Sequence, residues 1–154
     1  MFKTILVPTD GSTLASAAAQ AGVEFARQCD AQVIAIFIAP EYQYPIGVEI
    51  IPPNYPSEDE YRAAIVRTGE SHFADIQKAA AAADLKYVGV VAYSDHTAQK
   101  IVQIAQQHGC DLIFMGSHGR GGLGQLLLGS VTSKVLSLCE IPVFVYRMKK
   151  NLDG

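Results

Sequence analysis

The chain has 154 residues, of which 49% are hydrophobic and 18% charged, a balance that excludes disordered and fibrous chains and suits one compact domain over residues 1–154. Its net charge is −3, and the basic cluster at Arg147, Lys149 and Lys150 reads as a solvated tail, so the composition argues against nucleic acid as a partner.

The opening MFKTILVPTD carries too few apolar residues for a signal-peptide core. No later stretch approaches the roughly 20 apolar residues of a membrane span. The expectation is a soluble protein of the cytoplasm. Thr4 to Pro8 forms a first strand. Leu14, Ala18, Ala21 and Phe25 then recur at helical spacing, so a helix starts behind Ser12 as N-cap. QVIAIFIA is a second strand, ended by Pro40. Residues 41–56 hold four of the seven prolines and three tyrosines, which forbids a regular element and predicts a surface loop. Ser57 with Glu60 spells a capping box, and a long helix runs from it to about Ala83. KYVGVVA (86–92) is a third strand, Thr97 opens a helix facing inward through Ile101, Ile104 and Ala105, and LIFM (112–115) is a fourth strand. A short helix marked by Val131, Val135 and Leu138 follows, with Ser130 as its expected N-cap, and PVFVY (142–146) is a fifth strand. Apolar runs alternating with helical periodicities describe βαβ units around one open, doubly wound parallel sheet.

Cys29, Cys110 and Cys139 are odd in number, far apart and without ligand spacing, so they read as buried small hydrophobes. His72, His96 and His108 read as surface residues and His118 as a turn residue; no GxSxG elbow surrounds Ser117 or Ser130.

Between the fourth strand and the last helix lies GSHGRGGLGQLLLGS (116–130), with six glycines. Gly119, Gly121 and Gly124 spell GxGxxG, but a dinucleotide fingerprint requires an acid about 20 residues on, and that position holds Phe144. Gly124 with Gly129-Ser130 has P-loop spacing but lacks the lysine. What remains is a backbone cradle: Gly116 and Gly119 let the chain turn off the strand, and Gly129-Ser130 opens a helix whose N–H groups suit phosphate oxygens. Asp10, at the exit of the first strand, suits a ligand contact, with a helix-start acid as the plainer alternative.

Gly116-x2-Gly119-x9-Gly129-Ser130, with its flanks MGSHGRGG and LLGSVTSKVL, resembles the ATP-binding motif G-2x-G-9x-G-(S/T) of the universal stress protein family. The opening ILVPTDGS and the closing IPVFVYR are similar too. The resemblance implies a Rossmann-like sheet of five parallel strands in order 3-2-1-4-5 with four helices, a homodimer, and an adenine nucleotide, ATP first, then ADP or AMP, with Mg2+ on its phosphates. By position it implies Asp10 near ribose and phosphates, Pro8 and Thr9 in the same turn, and Ile38 at the adenine. Met115, Gly116, Gly119 and Arg120 hold ribose and phosphates, and Gly129, Ser130, Val131 and Thr132 complete the cradle. Two stretches depart from the pattern: IFIAP stands where many relatives have a histidine, and YSDHTAQKI is longer than the usual loop.

The implied function is that of an ATP-binding regulatory or stress-response protein working through a nucleotide-dependent dimer. The alternative is a slow ATPase or an ATP-alpha-hydrolase-like enzyme. The fifth strand, with Val143, Phe144, Val145 and Tyr146, is expected to make the dimer, since an apolar edge strand is an association site.

Overall fold

The computed structural model describes residues 1–118 and 128–148. Gly119, Arg120, Lys149 and Lys150 therefore lie outside the described residues. In chain order the elements are β1 (Thr4–Pro8), α1 (Thr13–Cys29), β2 (Gln32–Ala39), α2 (Glu58–Ala82), β3 (Tyr87–Tyr93), α3 (Thr97–Gln107), β4 (Leu112–Gly116), α4 (Ser130–Leu138) and β5 (Val143–Tyr146). The strands form one sheet in the order β3-β2-β1-β4-β5, and every neighbouring pair is parallel. This is the expected Rossmann-like α/β sheet. The chain winds outward from β1 in both directions, so a crevice opens between β1 and β4 at the strands' C-terminal ends.

The period of two along each strand divides the core between the two faces. Ile5 and Val7 of β1, Val33 and Ala35 of β2 and Phe114 of β4 pack with α1 and α2. Leu6, Ile34, Ile36, Ile113 and Met115 pack with α3 and α4. The α1 face turned inward is built from small residues, Ala15, Ala18, Ala19, Gly22 and Ala26, and a Cβ added to Gly22 would come within 3.1 Å of the Phe114 ring. That closeness seats the middle of α1 on β4 and β1.

Ser12 and Ser57 cap their helices as expected. Ser12 Oγ accepts from Ala15 N at 3.1 Å, and the Ser57–Glu60 box closes in both directions, at 2.8 and 3.1 Å. Some details differ from the sequence reading, two of the three cysteines among them. The N-cap of α4 is Gly129, not Ser130, which is the first helical residue. β5 starts at Val143, since Pro142 has no N–H to give, although its carbonyl accepts from Ile113 N. His72 is not a surface residue: it is half-buried, edge-on to Phe37 at 4.8 Å. His96 and His108 are exposed, and of the cysteines only Cys110 is fully buried; Cys29 and Cys139 are half-buried. Among the described residues no helix is long and apolar enough to cross a membrane.

Candidate functional site

A cleft opens at the crevice between β1 and β4. Its first wall is the turn from β1 into α1. Thr9 N donates to Ile36 O at 2.9 Å, extending the ladder one residue past the strand. Gly11 N then donates to Thr9 Oγ1 at 3.2 Å and Ser12 N to Asp10 Oδ1 at 2.9 Å. The Asp10 carboxylate thus builds the turn with one oxygen while lining the cleft, so the helix-start role and the cleft position coexist. Gly11 is required here twice over. Its φ is +75°, and an added Cβ would sit 2.1 Å from Cε1 of His72. The imidazole of α2 is the floor on which the Asp10 turn rests.

The second wall is the exit of β4. Ser117 N donates to Tyr146 O at 2.8 Å and Gly129 N to Ser117 O at 2.7 Å, which brings the start of α4 back against the strand end. The Thr132 hydroxyl, buried, donates to Gly116 O at 2.9 Å. Gly129 has an ordinary φ of −69°; what disfavours a side chain there is space, since a Cβ would lie 3.2 Å from both Ser117 O and His118 Cα, closer than backbone neighbours usually allow. His118 lines the cleft. Its Nδ1 lies 3.2 Å from Ser117 Oγ, and its Nε2 is buried with no hydrogen-bond partner among the described residues.

The remaining wall is apolar: Ile36 and Ile38 from β2, Ile101 from α3, Ala15 from α1 and Met115 from β4. Helix geometry leaves the first N–H groups of α4 without intrahelical acceptors, and Val131 and Thr132 of that first turn line the cleft. Thr97 brings the first turn of α3 to the same place. None of α1, α3 and α4 has an acid in its first turn, whereas α2, whose start is remote from the cleft, has three. At the start of α1 the Asp10 carboxylate already meets a backbone N–H, whereas the starts of α3 and α4 keep their partial positive charge on the cleft side. Among the described residues no group of three or more His, Cys, Asp or Glu side chains could hold a metal.

Of the residues singled out in the sequence, Pro8, Thr9, Asp10, Ile38, Met115, Gly116, Val131 and Thr132 line this one cleft. Gly129 and Ser130 sit just behind it at the helix start. Gly119 and Arg120 fall outside the described residues. Ala15, Ile36, Thr97, Ile101 and His118 line it as well; of these the sequence placed Thr97 and Ile101 on a helix and His118 in a turn, and assigned none to the ligand. Ile36 was within reach, because it precedes Ile38 by two and shares its face of the strand.

Fold and cleft together define a doubly wound α/β protein with a cleft whose described lining holds no lysine, at the point where strand order reverses. The sequence pattern of the Universal stress protein family spans residues 1–147, and the chain belongs to that family. It is 29% identical over 151 residues to universal stress protein MJ0531 of Methanocaldococcus jannaschii, covering 98% of this chain and 85% of the relative. It is 31% identical over 147 residues to a universal stress protein of Thermus aquaticus, covering 96% and 100%. The solved structure of hypothetical protein MJ0577, also from M. jannaschii, superposes with a TM-score of 0.80 at 29% identity, over 98% of this chain and 99% of that one. Two more distant structures share the fold. One is a universal stress protein in complex with cAMP, with TM-score 0.65, 20% identity and coverage of 95% and 97%. The other is the Archaeoglobus fulgidus protein in complex with dAMP, with TM-score 0.62, 17% identity and coverage of 93% and 96%.

Proposed function

We propose that the chain acts as one nucleotide-binding domain over residues 1–154, a cytoplasmic universal stress protein that binds ATP and regulates through its dimer rather than by turnover. The observation that carries this reading is the convergence in one cleft of the Asp10 turn, the Gly116 strand exit and the acid-free starts of α3 and α4, beside an apolar wall. That is the division a nucleotide needs: donors and positive helix ends for phosphate, a carboxylate for ribose hydroxyls, aliphatic surface for a base. The cAMP and dAMP held by two proteins of this fold support an adenine nucleotide as the class.

In this reading Asp10 lies near ribose and phosphates, Pro8 and Thr9 shape its turn, and Ile38 lies along the base. Met115 and Gly116, together with Gly119 and Arg120 beyond the described residues, hold ribose and phosphates, with the Met115 side chain against the sugar, and Gly129, Ser130, Val131 and Thr132 complete the phosphate cradle. Asp10 is the one carboxylate among the described cleft residues. Mg2+ would thus arrive on the phosphates and keep most of its waters, as that ion commonly does.

Mass spectrometry of protein purified without added nucleotide tests the reading directly. Co-purifying adenine nucleotide supports it; an empty protein that also fails to bind added ATP refutes it. Gly129→Val should abolish binding while the fold stays cooperative, because the branched side chain enters the space now held by Ser117 O and His118 Cα. Sustained phosphate release on the order of 1 per second, lost in Asp10→Asn, would favour the ATPase alternative.

A further inference from the structure

The loop between β2 and α2 was read from its prolines as irregular surface. The structure shows something more ordered. Its two strands of chain are tied together by tyrosine hydroxyls: Tyr42 donates to Pro56 O at 2.6 Å, and Tyr55 donates to Gln43 O. The base is tied to the body in the same way, with Tyr61 donating to Pro40 O at 2.6 Å and Tyr44 to the Glu58 carboxylate. The rings meet in a chain of contacts, Tyr42 edge-on to Tyr44 and Tyr55 and tilted against Tyr61, and Tyr61 tilted against Tyr93 of β3. An anchored base thus presents a tip that is apolar and faces water: Ile46 is 87% exposed and Ile50 83%, with Val48 and Ile51 more than half exposed. Gly47 turns the chain at the tip with φ +77°.

Isolated exposed apolar residues are ordinary, but a contiguous set on an anchored protrusion marks an interaction site. The charge around it says what kind. From Pro40 to Tyr61 there is no lysine or arginine, while Glu41, Glu49, Glu58, Asp59 and Glu60 are all acidic. The next cation, Arg62, is taken up by Glu58 at 3.0 Å and by the Tyr93 ring. An anionic membrane surface would repel such a rim, and a second copy would bring the same acids against themselves. We propose that the 41–56 loop is a preformed docking knob for a partner protein that presents an apolar groove rimmed by lysine or arginine. Because the tyrosines already fix the loop, little ordering cost remains at binding.

The proposal goes beyond nucleotide binding and stands apart from it, since the tip residues do not line the cleft. The probe is a fluorescein-labelled amphipathic helical peptide of leucine and lysine, with a leucine–glutamate peptide of the same pattern as control. The full chain should bind the first and not the second, more weakly as salt rises. Ile46→Ser/Ile50→Ser should weaken it at least tenfold with thermal midpoint and ATP binding unchanged. Equal affinity in wild type and variant, or no binding, overturns the proposal. So does a finding that the variant instead loses binding to phosphatidylserine vesicles, or loses self-association in sedimentation, which would assign the tip to a membrane or to a second copy.

Discussion

Thr132 shows how one side chain can hold a site without being aimed at a ligand. Its hydroxyl is spent on Gly116 O, so in the free protein it fastens the first turn of α4 to the end of β4. Thr132→Val keeps the shape but leaves that carbonyl without its donor in a buried position, a loss of about 1–3 kcal/mol. Urea unfolding should show the midpoint falling with an unchanged slope. Two other buried groups set an alkaline limit. Burial pushes the Cys110 thiol up to about 11 from its ordinary 9.0, with Asp111 adding to the effect, and pushes the Tyr87 phenol up to about 12 from 10.0. In each case the unfolded chain releases its proton first. Stability is therefore complete below about pH 9 and falls as pH rises toward the folded values. For Cys110 alone the loss between pH 9 and 11 is on the order of 2 kcal/mol. Denaturation midpoints at pH 8 and pH 10.5 should separate in the wild type, and separate less in Cys110→Ala.

At the scale of elements, α2 divides into two parts. Its buried residues, Gly69, Phe73, Ile76 and Ala80, all lie from its middle onward, so its first turns rest on capping and on exposed polar and ring contacts such as Tyr61 to Pro40 O rather than on the core. The capping box and the acids Glu58, Asp59 and Glu60 suit a helix start. Ser57→Ala should cost about 1 kcal/mol, a fall of roughly 2–4 °C in melting temperature for a chain of this size, without touching the cleft. Differential scanning calorimetry with and without ATP checks both halves of that statement. Such elements were legible because their signals are local: the alternation of strands, the 3.6 period of helices and the Ser-x-x-Glu box all lie within a few residues. The start of α4 was less so. Gly129 and Ser130 both suit a helix cap, and the choice is made by crowding against Ser117 and His118, which no local pattern reports. His72 escaped for the same reason, since the residue it supports, Gly11, lies on another element. The cleft was legible as far as its motifs ran. Thr97 and Ile101 were placed on a helix, but only the fold carries that helix to the cleft.

At the scale of the molecule, the sheet order leaves β3 and β5 as its two edges, and they differ in what they offer. Along β5, Pro142 O accepts from Ile113 N and Tyr146 O accepts from Ser117 N. The even-numbered residues therefore pair with β4, and alternation turns the backbone groups of Val143 and Val145 outward. Phe144 stacks on Phe114 with centroids 4.5 Å apart and still leaves 44% of its surface exposed. Leu136, Leu138 and Met148 are exposed close by in the chain. An edge with unpaired ladder groups and apolar cover on both sides is a template for a second strand, and two copies about a two-fold axis satisfy both edges through one isologous contact. We accordingly propose that β5 makes the dimer and that the strand contact itself needs no nucleotide. Val145→Pro removes an outward donor without breaking the pairing to β4, so the variant should be a folded monomer that still binds ATP. Light scattering at micromolar concentration decides the matter: a nucleotide-free wild type that is well folded and monomeric, or a Val145→Pro variant that remains dimeric, would rule out β5 as the interface.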